Sequence, residues 1–224
     1  PDKILCFSKA GNNFHGQKYR DWISLPGNIH LSVFFSPNTI INQFHSGAMV
    51  LGAISALQTI DSIDSIQKQA QIKWVNDIQI EGKKVCGIIA HSKTRDKCVT
   101  MITLGIGLNV EVTPSIPPRG GAQEATCLLD YSIDLKNCTF PKVFEKLIYF
   151  LKQNYQKLLD NRYKNLIQSY RDRSLVVGKN VQIISETTNE INAEGKVIKI
   201  NDDLSLLIEN SSRPIRKGRL EFIE

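Results

Sequence analysis

The 224-residue sequence has no apolar run near the roughly 20 residues that a membrane-spanning helix needs, which excludes such a helix and leads us to expect a soluble protein. It lacks the basic-then-apolar start of a secretory signal. It opens on Pro1 rather than methionine, immediately ahead of an apparent strand at Leu5-Cys6-Phe7, so the chain is expected to begin inside a domain. No CxxC pair and no histidine at ligand spacing accompany the five cysteines, Cys6, Cys86, Cys98, Cys127 and Cys138. That argues against a zinc or redox motif and for free thiols in a reducing cytoplasm. There is no internal repeat and no low-complexity tract. Strong charge of one sign is also missing: a net charge of +6 and a pI near 9.0 admit an acidic partner, but so small an excess reads as a solvated surface rather than a nucleic-acid interface.

What is present is ordinary for a globular protein, with 42% hydrophobic and 22% charged residues. A chain of this length buries roughly 70% of its unfolded surface and suits one medium domain with a small appendage. After the first strand, residues 10–22 (AGNNFHGQKYRDW) form a glycine- and asparagine-rich loop carrying His15, Lys18 and Arg20. Backbone of that kind turns its N–H groups toward an anion, and the cations add charge; a plain surface loop explains the same composition. A turn over residues 22–28 leads to a strand at 29–36. A helix follows, capped by Ser36 or Asn38, with Ile40, Ile41, Phe44, Val50, Leu51, Ile54, Leu57 and Ile60 as its buried stripe.

The densest stretch is residues 71–92, QIKWVNDIQIEGKKVCGIIAHS. It reads as a strand ending near Val75, a corner at Asn76-Asp77, a second strand, the turn Glu81-Gly82-Lys83 and a third strand, with a turn expected at 93–96. Apolar neighbours flank Lys73 and the chain turns directly after it, so its ammonium is expected to enter a crevice beside polar turn residues. Residues 99–110 form the next strand, with Gly105 and Gly107 inside it and Asn109 behind them. Glycine within a strand marks a bulge or a close approach by a ligand or another backbone. Three prolines keep the loop 113–122 out of any central strand. Thr139 and Pro141 open a long amphipathic helix on Phe144, Leu147, Leu151, Tyr155 and Leu158, broken near Asp160-Asn161 and continuing over residues 166–170. Short strands at 180–184, 195–200, 204–209 and 220–223 then read as a small SH3-like barrel, with Arg213, Arg216, Lys217 and Arg219 near its end.

In that order the motifs resemble the biotin-protein ligases, of the single-function type with no DNA-binding domain in view. The family's Lys-Trp-Pro-Asn-Asp corresponds to Lys73-Trp74-Val75-Asn76-Asp77, its Lys-apolar-small-Gly-Ile to Lys84-Val85-Cys86-Gly87-Ile88, and its Gly-x-Gly-Ile-Asn to Gly105-Ile106-Gly107-Leu108-Asn109. Trp22 corresponds to the tryptophan after the phosphate loop. The chain departs at Val75, where the family has proline, and in the loop, where Gly16 and Arg20 match but His15, Gln17 and Lys18 replace arginines. The family's Ser/Thr-Thr-Asn motif would lie ahead of Pro1.

The resemblance implies an α+β fold, a mixed sheet flanked by helices of the class II synthetase-like type, with a catalytic domain over residues 1–172 and the SH3-like domain over 173–224. It implies joining of biotin to AMP from ATP and transfer to a lysine on the biotin acceptor domain of a carboxylase, with Mg²⁺ held through phosphates. Lys73 would be the catalytic cation. His15, Gly16, Gln17, Lys18 and Arg20 would form the biotin and phosphate loop, Trp22, Gly87 and Ile88 the biotin pocket, and Asn76, Lys84, Gly105, Gly107 and Asn109 the nucleotide site. Asp77 would serve either as a proton acceptor for the incoming lysine or as a turn cap. The strand at residues 29–35 is expected to lie at a sheet edge and pair with the acceptor domain. A homodimer is admitted, and no membrane partner is expected. Two alternatives stand beside this reading: a lipoate or octanoate ligase or transferase on the same fold, and a degenerate, non-catalytic binding module.

Overall fold

The protein is described from a computed structural model, which covers residues 3–17, 20–41, 43–115 and 124–223. Residues 116–122 of the proline-rich loop, like Lys18, lie outside the described residues. The apolar alternation read from the sequence builds a six-stranded sheet from β1 (Lys3–Ser8), β2 (Ile29–Phe35), β3 (Gln71–Lys73), β4 (Asp77–Ile80), β5 (Lys83–Arg95) and β6 (Cys98–Leu108). Its order is β1-β2-β6-β5-β4-β3. A mixed sheet was the expectation, yet every ladder is antiparallel, and parallel pairing is confined to the isolated bridges Ile72–Ser174 and Lys84–Ala125. From β3 to β6 short connections explain this, because strands joined by two- or three-residue turns can only run in opposite directions. At the β5–β6 turn, Asp96 and Lys97 take left-handed φ values of 49° and 68°, the geometry that matches strand twist. β5 therefore runs on to Arg95 rather than ending ahead of a turn at 93–96.

β2 is interior, hydrogen-bonded to β1 and β6. It cannot accept a strand from a partner, which removes the expected pairing of residues 29–35 with an acceptor domain. The sheet edge on that side is β1, and Phe7 there packs on Phe144 with ring centroids 5.4 Å apart.

Helix α1 (Phe44–Asp61) lies across one face of the sheet and is buried on nearly all sides, because α2 (Phe140–Leu159) and α3 (Tyr163–Asp172) cover its outer surface. A Cβ on Gly52 would lie 2.8 Å from both Ile88 and Leu104, so glycine lets the helix seat directly on the strands. α1 begins later than a cap at Ser36 or Asn38 would place it. Thr39 first bridges Val99, accepting from the Val99 N–H at 2.8 Å, and Ile40 is left 58% exposed, outside the buried stripe. The expected break between α2 and α3 falls at Asn161, whose φ is 56°.

The C-terminal segment forms a second sheet from β7 (Asn180–Ile184), β8 (Ile191–Ile200), β9 (Leu206–Ile208) and β10 (Arg219–Phe222), in the order β10-β7-β8-β9. All its ladders are antiparallel, and no ladder joins β9 to β10 among the described residues. Its attachment decides where the site lies. The backbone of Ile72 on β3 donates to the Arg173 carbonyl at 2.7 Å and accepts from Leu175 N–H at 2.8 Å, which covers that edge. The Trp74 indole N–H donates to the Leu204 carbonyl at 2.7 Å, and the Tyr170 hydroxyl donates to the Val75 carbonyl at 2.8 Å. One continuous hydrophobic core runs through both sheets, and the second sheet stands beside Lys73.

Candidate active site

Directly opposed residues of an antiparallel sheet point to the same face. One such row crosses all six strands: Ser8, His30, Gly107, Gly87, Asp77 and Lys73. Ile88 and Leu104, one residue out of phase with it, face α1, so the row lies on the face turned away from the helices. Two adjoining glycines at its centre leave a trough with backbone as its floor.

The Trp22 indole fills the trough. A Cβ on Gly107 would overlap the ring, and one on Gly87 would sit 3.2 Å from Trp22 Cζ3 and 3.2 Å from Lys84 Nζ. The loop brings the ring there by folding back on itself. Gly16 N–H donates to the Arg20 carbonyl at 2.7 Å, Trp22 N–H donates to the Phe14 carbonyl at 2.9 Å, and His15 bridges Asp21. The ring is then fixed by its own N–H, which donates to His30 Nδ1 at 3.1 Å. The Lys84 ammonium stands 5.7 Å from the indole centroid, within cation–π range.

Charge gathers at the β3 end of the row. Lys73 is half-buried, and burial holds its ammonium below the ordinary lysine range; Asp77 and Glu221 act against that shift, while Lys84 and Arg20 reinforce it. The Phe222 ring of β10 lies 5.7 Å from Lys73 Nζ. Asp77, opposite Lys73 on β4, holds Lys84 Nζ at 2.6 Å as an ionic contact. Arg20 stands 3.7 Å from Glu186 of the second sheet. Three cations, two of them paired with carboxylates, stand beside the glycine trough, a setting that suits a flat or apolar body ending in an anion. A carboxylate would suit Lys73, and a phosphate would suit several positive charges at once.

Lys73, Lys84, Trp22, Gly87 and Gly107 are therefore brought together, with Arg20 close enough to act on Lys73, and Gly105 lies two residues along the same face. Other expected site residues are held by contacts of their own or face elsewhere. The Ile88 side chain points into the helix layer and cannot line a pocket on the trough side, because a one-residue step along a strand reverses the face. Asn76 is committed to Ile88: its Nδ2 donates to the Ile88 carbonyl at 2.8 Å while its own carbonyl accepts from Ile88 N–H at 3.0 Å. Asn109, expected at the nucleotide, is 2% exposed, and its Nδ2 donates to the Thr126 carbonyl at 2.9 Å. β6 has ended by then and the chain turns inward beneath residues 126–130, so this asparagine pegs a turn. His15 turns toward Asp21, 3.6 Å away, and the Gln17 carbonyl accepts from Arg20 N–H at 3.3 Å to close the loop.

Sequence reasoning missed His30 and Asn28. The alternation of Ile29-His30-Leu31 already put His30 on the face opposite the core apolar residues, and that signal could have found it. Asn28 Oδ1 accepts from the N–H groups of Val110, Glu111 and Val112 at 2.9, 3.2 and 3.1 Å, fixing the end of β6. Glu186, Glu221 and Phe222 carry no local signal at all. They reach the site only because β3 carries the second sheet. Among the described residues, no group of three or more His, Cys, Asp or Glu could hold a metal ion, and no helix is long and apolar enough to cross a membrane.

Comparison with known proteins finds relatives by sequence and by fold. The model of the biotin/lipoate A/B protein ligase family matches residues 5–109, the span from β1 to the end of the glycine strand. The bifunctional ligase/repressor BirA of Bacillus subtilis is 26% identical over 215 residues, covering 94% of this chain, which spans 63% of that relative's length. The biotin–[acetyl-CoA-carboxylase] ligase of Paracoccus denitrificans is 26% identical over 105 residues, 44% of this chain and 41% of that one. The biotin protein ligase of Aquifex aeolicus, solved in complex with biotin and ATP, superposes with a TM-score of 0.74 at 20% identity, over 97% of this chain and 87% of that one. Residues 5–109 thus match the model of the biotin/lipoate A/B protein ligase family, on a chain whose fold is similar to that of the Aquifex aeolicus biotin protein ligase.

Proposed function

We propose that this protein activates biotin with ATP to biotinyl-5′-AMP and transfers the acyl group to a lysine of a biotin acceptor domain, such as the carrier protein of acetyl-CoA carboxylase. The observation that carries the reading is the row itself: a glycine floor roofed by Trp22, running into Lys73, Lys84 and Arg20. A fused apolar ring system would lie against the Trp22 indole that fills the trough and present its carboxylate to Lys73.

A carboxylate is a poor acyl donor because its leaving group would be an oxide. Attack by the carboxylate oxygen on the α-phosphorus of ATP expels pyrophosphate and replaces that oxide with AMP. This step needs positioning and charge neutralisation more than proton transfer. Lys73 neutralises the two anions as they meet, while Arg20 and Lys84 add charge from the loop and from β5. Mg²⁺ would be held through nucleotide phosphates rather than by a protein ligand set. In the second half-reaction the acceptor lysine, with an ordinary pKa near 10.4, must arrive neutral. Asp77, already paired with Lys84, would receive its proton or steer its approach. Residues 1–172 would bind biotin and ATP, and residues 173–224 would back the site through Phe222, Glu221 and Glu186. The reading places the protein in the cytoplasm and admits a homodimer.

The test is pyrophosphate release with biotin, lipoate or octanoate as the acid. Release with biotin, followed by labelling of an acceptor domain, is expected. Release with lipoate or octanoate alone would replace biotin as the substrate. Lys73→Ala should lower turnover by about 10²–10³-fold with the melting transition retained, as for loss of one preorganised charge-stabilising group; unchanged turnover in that variant would refute the role given to Lys73.

A further inference from the structure

His30 stands in the same cross-strand row as Gly107, Gly87, Asp77 and Lys73, and nothing in the chemistry above uses it. It is 6% exposed. Among the described residues its neighbours are uncharged: Ser8 and Gly107 lie across the neighbouring strands, Phe14 stacks on the ring with centroids 5.8 Å apart, and the Trp22 indole and the Leu25 backbone bond to it. Burial lowers its pKa, with the Leu25 hydrogen bond acting against that shift.

The Trp22 contact decides its form. Trp22 Nε1 can only donate, so His30 Nδ1 accepts at 3.1 Å and a neutral ring carries its proton on Nε2, which lies 3.1 Å from both the Leu25 carbonyl and the Leu25 N–H; the carbonyl is then the group that accepts it. Neutral His30 thereby ties the roof of the trough to its floor strand and to the turn that carries the loop into β2. Protonation adds an N–H at Nδ1, facing the Trp22 N–H donor to donor, and the tie is lost.

We propose that His30 is a positioning residue for the activation step: in its neutral form it holds the Trp22 indole over the Gly87–Gly107 trough, and the acid substrate binds against the wall so held. The inference rests on the ligase reading above, and one arm of its test is independent of that reading.

Protein labelled with ¹⁵N in its tryptophan indoles gives two N–H signals, from Trp22 and from Trp74, whose N–H is held by the Leu204 carbonyl and serves as an internal control. In the wild type, the Trp22 signal should titrate as pH falls through the lowered His30 pKa while the Trp74 signal stays fixed. His30→Phe should shift the Trp22 signal alone. In biotin-dependent pyrophosphate release, His30→Phe should raise KM for biotin about three- to tenfold, the size expected for loss of one hydrogen bond, with kcat within about twofold. His30→Asn, whose amide oxygen takes the place of Nδ1, should return KM to within about twofold of wild type and abolish its rise at low pH. The proposal is overturned if the Trp22 signal ignores both pH and the His30 substitutions, or if KM is unchanged in folded His30→Phe. If biotin supports no turnover at all, the ligase reading falls, and the indole titration still decides whether His30 holds Trp22. If His30→Phe fails to fold, the wild-type titration and His30→Asn decide the matter.

Discussion

Gly107→Ala tests the geometry of the trough with one methyl group. The new Cβ would sit inside the Trp22 indole, overlapping its ring edge and reaching Cη2 at 2.8 Å. Ordinary carbon–carbon contact is about 3.5–4.0 Å, so the indole must retreat by about 1 Å. It cannot retreat freely, since its N–H is bonded to His30 and Lys84 lies over its face. Forcing a methyl into packed surroundings costs about 1–3 kcal/mol. Gly107 shows no left-handed φ, so replacing glycine also stiffens the unfolded chain and returns about 0.4–1 kcal/mol. The net loss of stability is then about 0–2.5 kcal/mol. A substrate that needs the displaced wall should bind roughly five- to hundredfold more weakly, since every 1.4 kcal/mol is tenfold. Gly87→Ala, whose Cβ meets Trp22 at 3.2 Å, should do the same more mildly. Titration calorimetry with biotin, alongside thermal melts, would measure both effects. If Gly107→Ala bound biotin at wild-type affinity with the Trp22 N–H signal unmoved, the trough would not be the binding site.

Burial lowers the Lys73 pKa in the folded protein, so between that value and the ordinary lysine pKa the unfolded chain holds the extra proton and stability rises with pH across this window. Below it, charged Lys73 weighs against folding at every pH. Lys73→Met should therefore melt higher than wild type at pH 7 while losing turnover, and the difference should narrow as pH rises through the window; a lower melting point at pH 7 would count against a buried ammonium. Activity that needs charged Lys73 should decline on the alkaline side at a lower pH than an exposed lysine would set, as a pH–rate profile would show. Trp74→Phe removes the donor to the buried Leu204 carbonyl and should cost about 1–3 kcal/mol, lowering the melting temperature by roughly 2–4 °C per kcal/mol for a chain of this size. An unchanged melt would mean that this bond does not tie the second sheet to β3.

Local patterns were legible wherever a segment's own residues settle its conformation. The alternation of residues 29–35 and 99–108 gave strands, and Pro141 with the Asp160-Asn161 pair gave two helices with a break, because period and turn chemistry act within a few residues. Gly105 and Gly107 announced a close approach, and the approach is real at Gly107, though what arrives is the chain's own Trp22. The edge position assigned to β2 failed because strand order depends on which distant strand pairs with which, and β1 takes the outer place. Ile88 and Asn109 failed for a related reason: a motif fixes which residues are adjacent in sequence, while facing and burial depend on the helix layer and on the inward turn after β6.

The sequence by itself determined the strands, the helices, the glycine pair and a lysine set between apolar neighbours before a sharp turn, since each follows from residue size, backbone freedom and spacing. Only the tertiary structure decided that Lys73, Asp77, Gly87, Gly107 and His30 share one row across the sheet, and that Trp22 roofs it. It alone brought Phe222 and Glu221 beside a lysine some 150 residues earlier in the chain. Register and sheet order are long-range choices, settled by which pairing buries the whole core at once, and no short stretch of sequence carries that information.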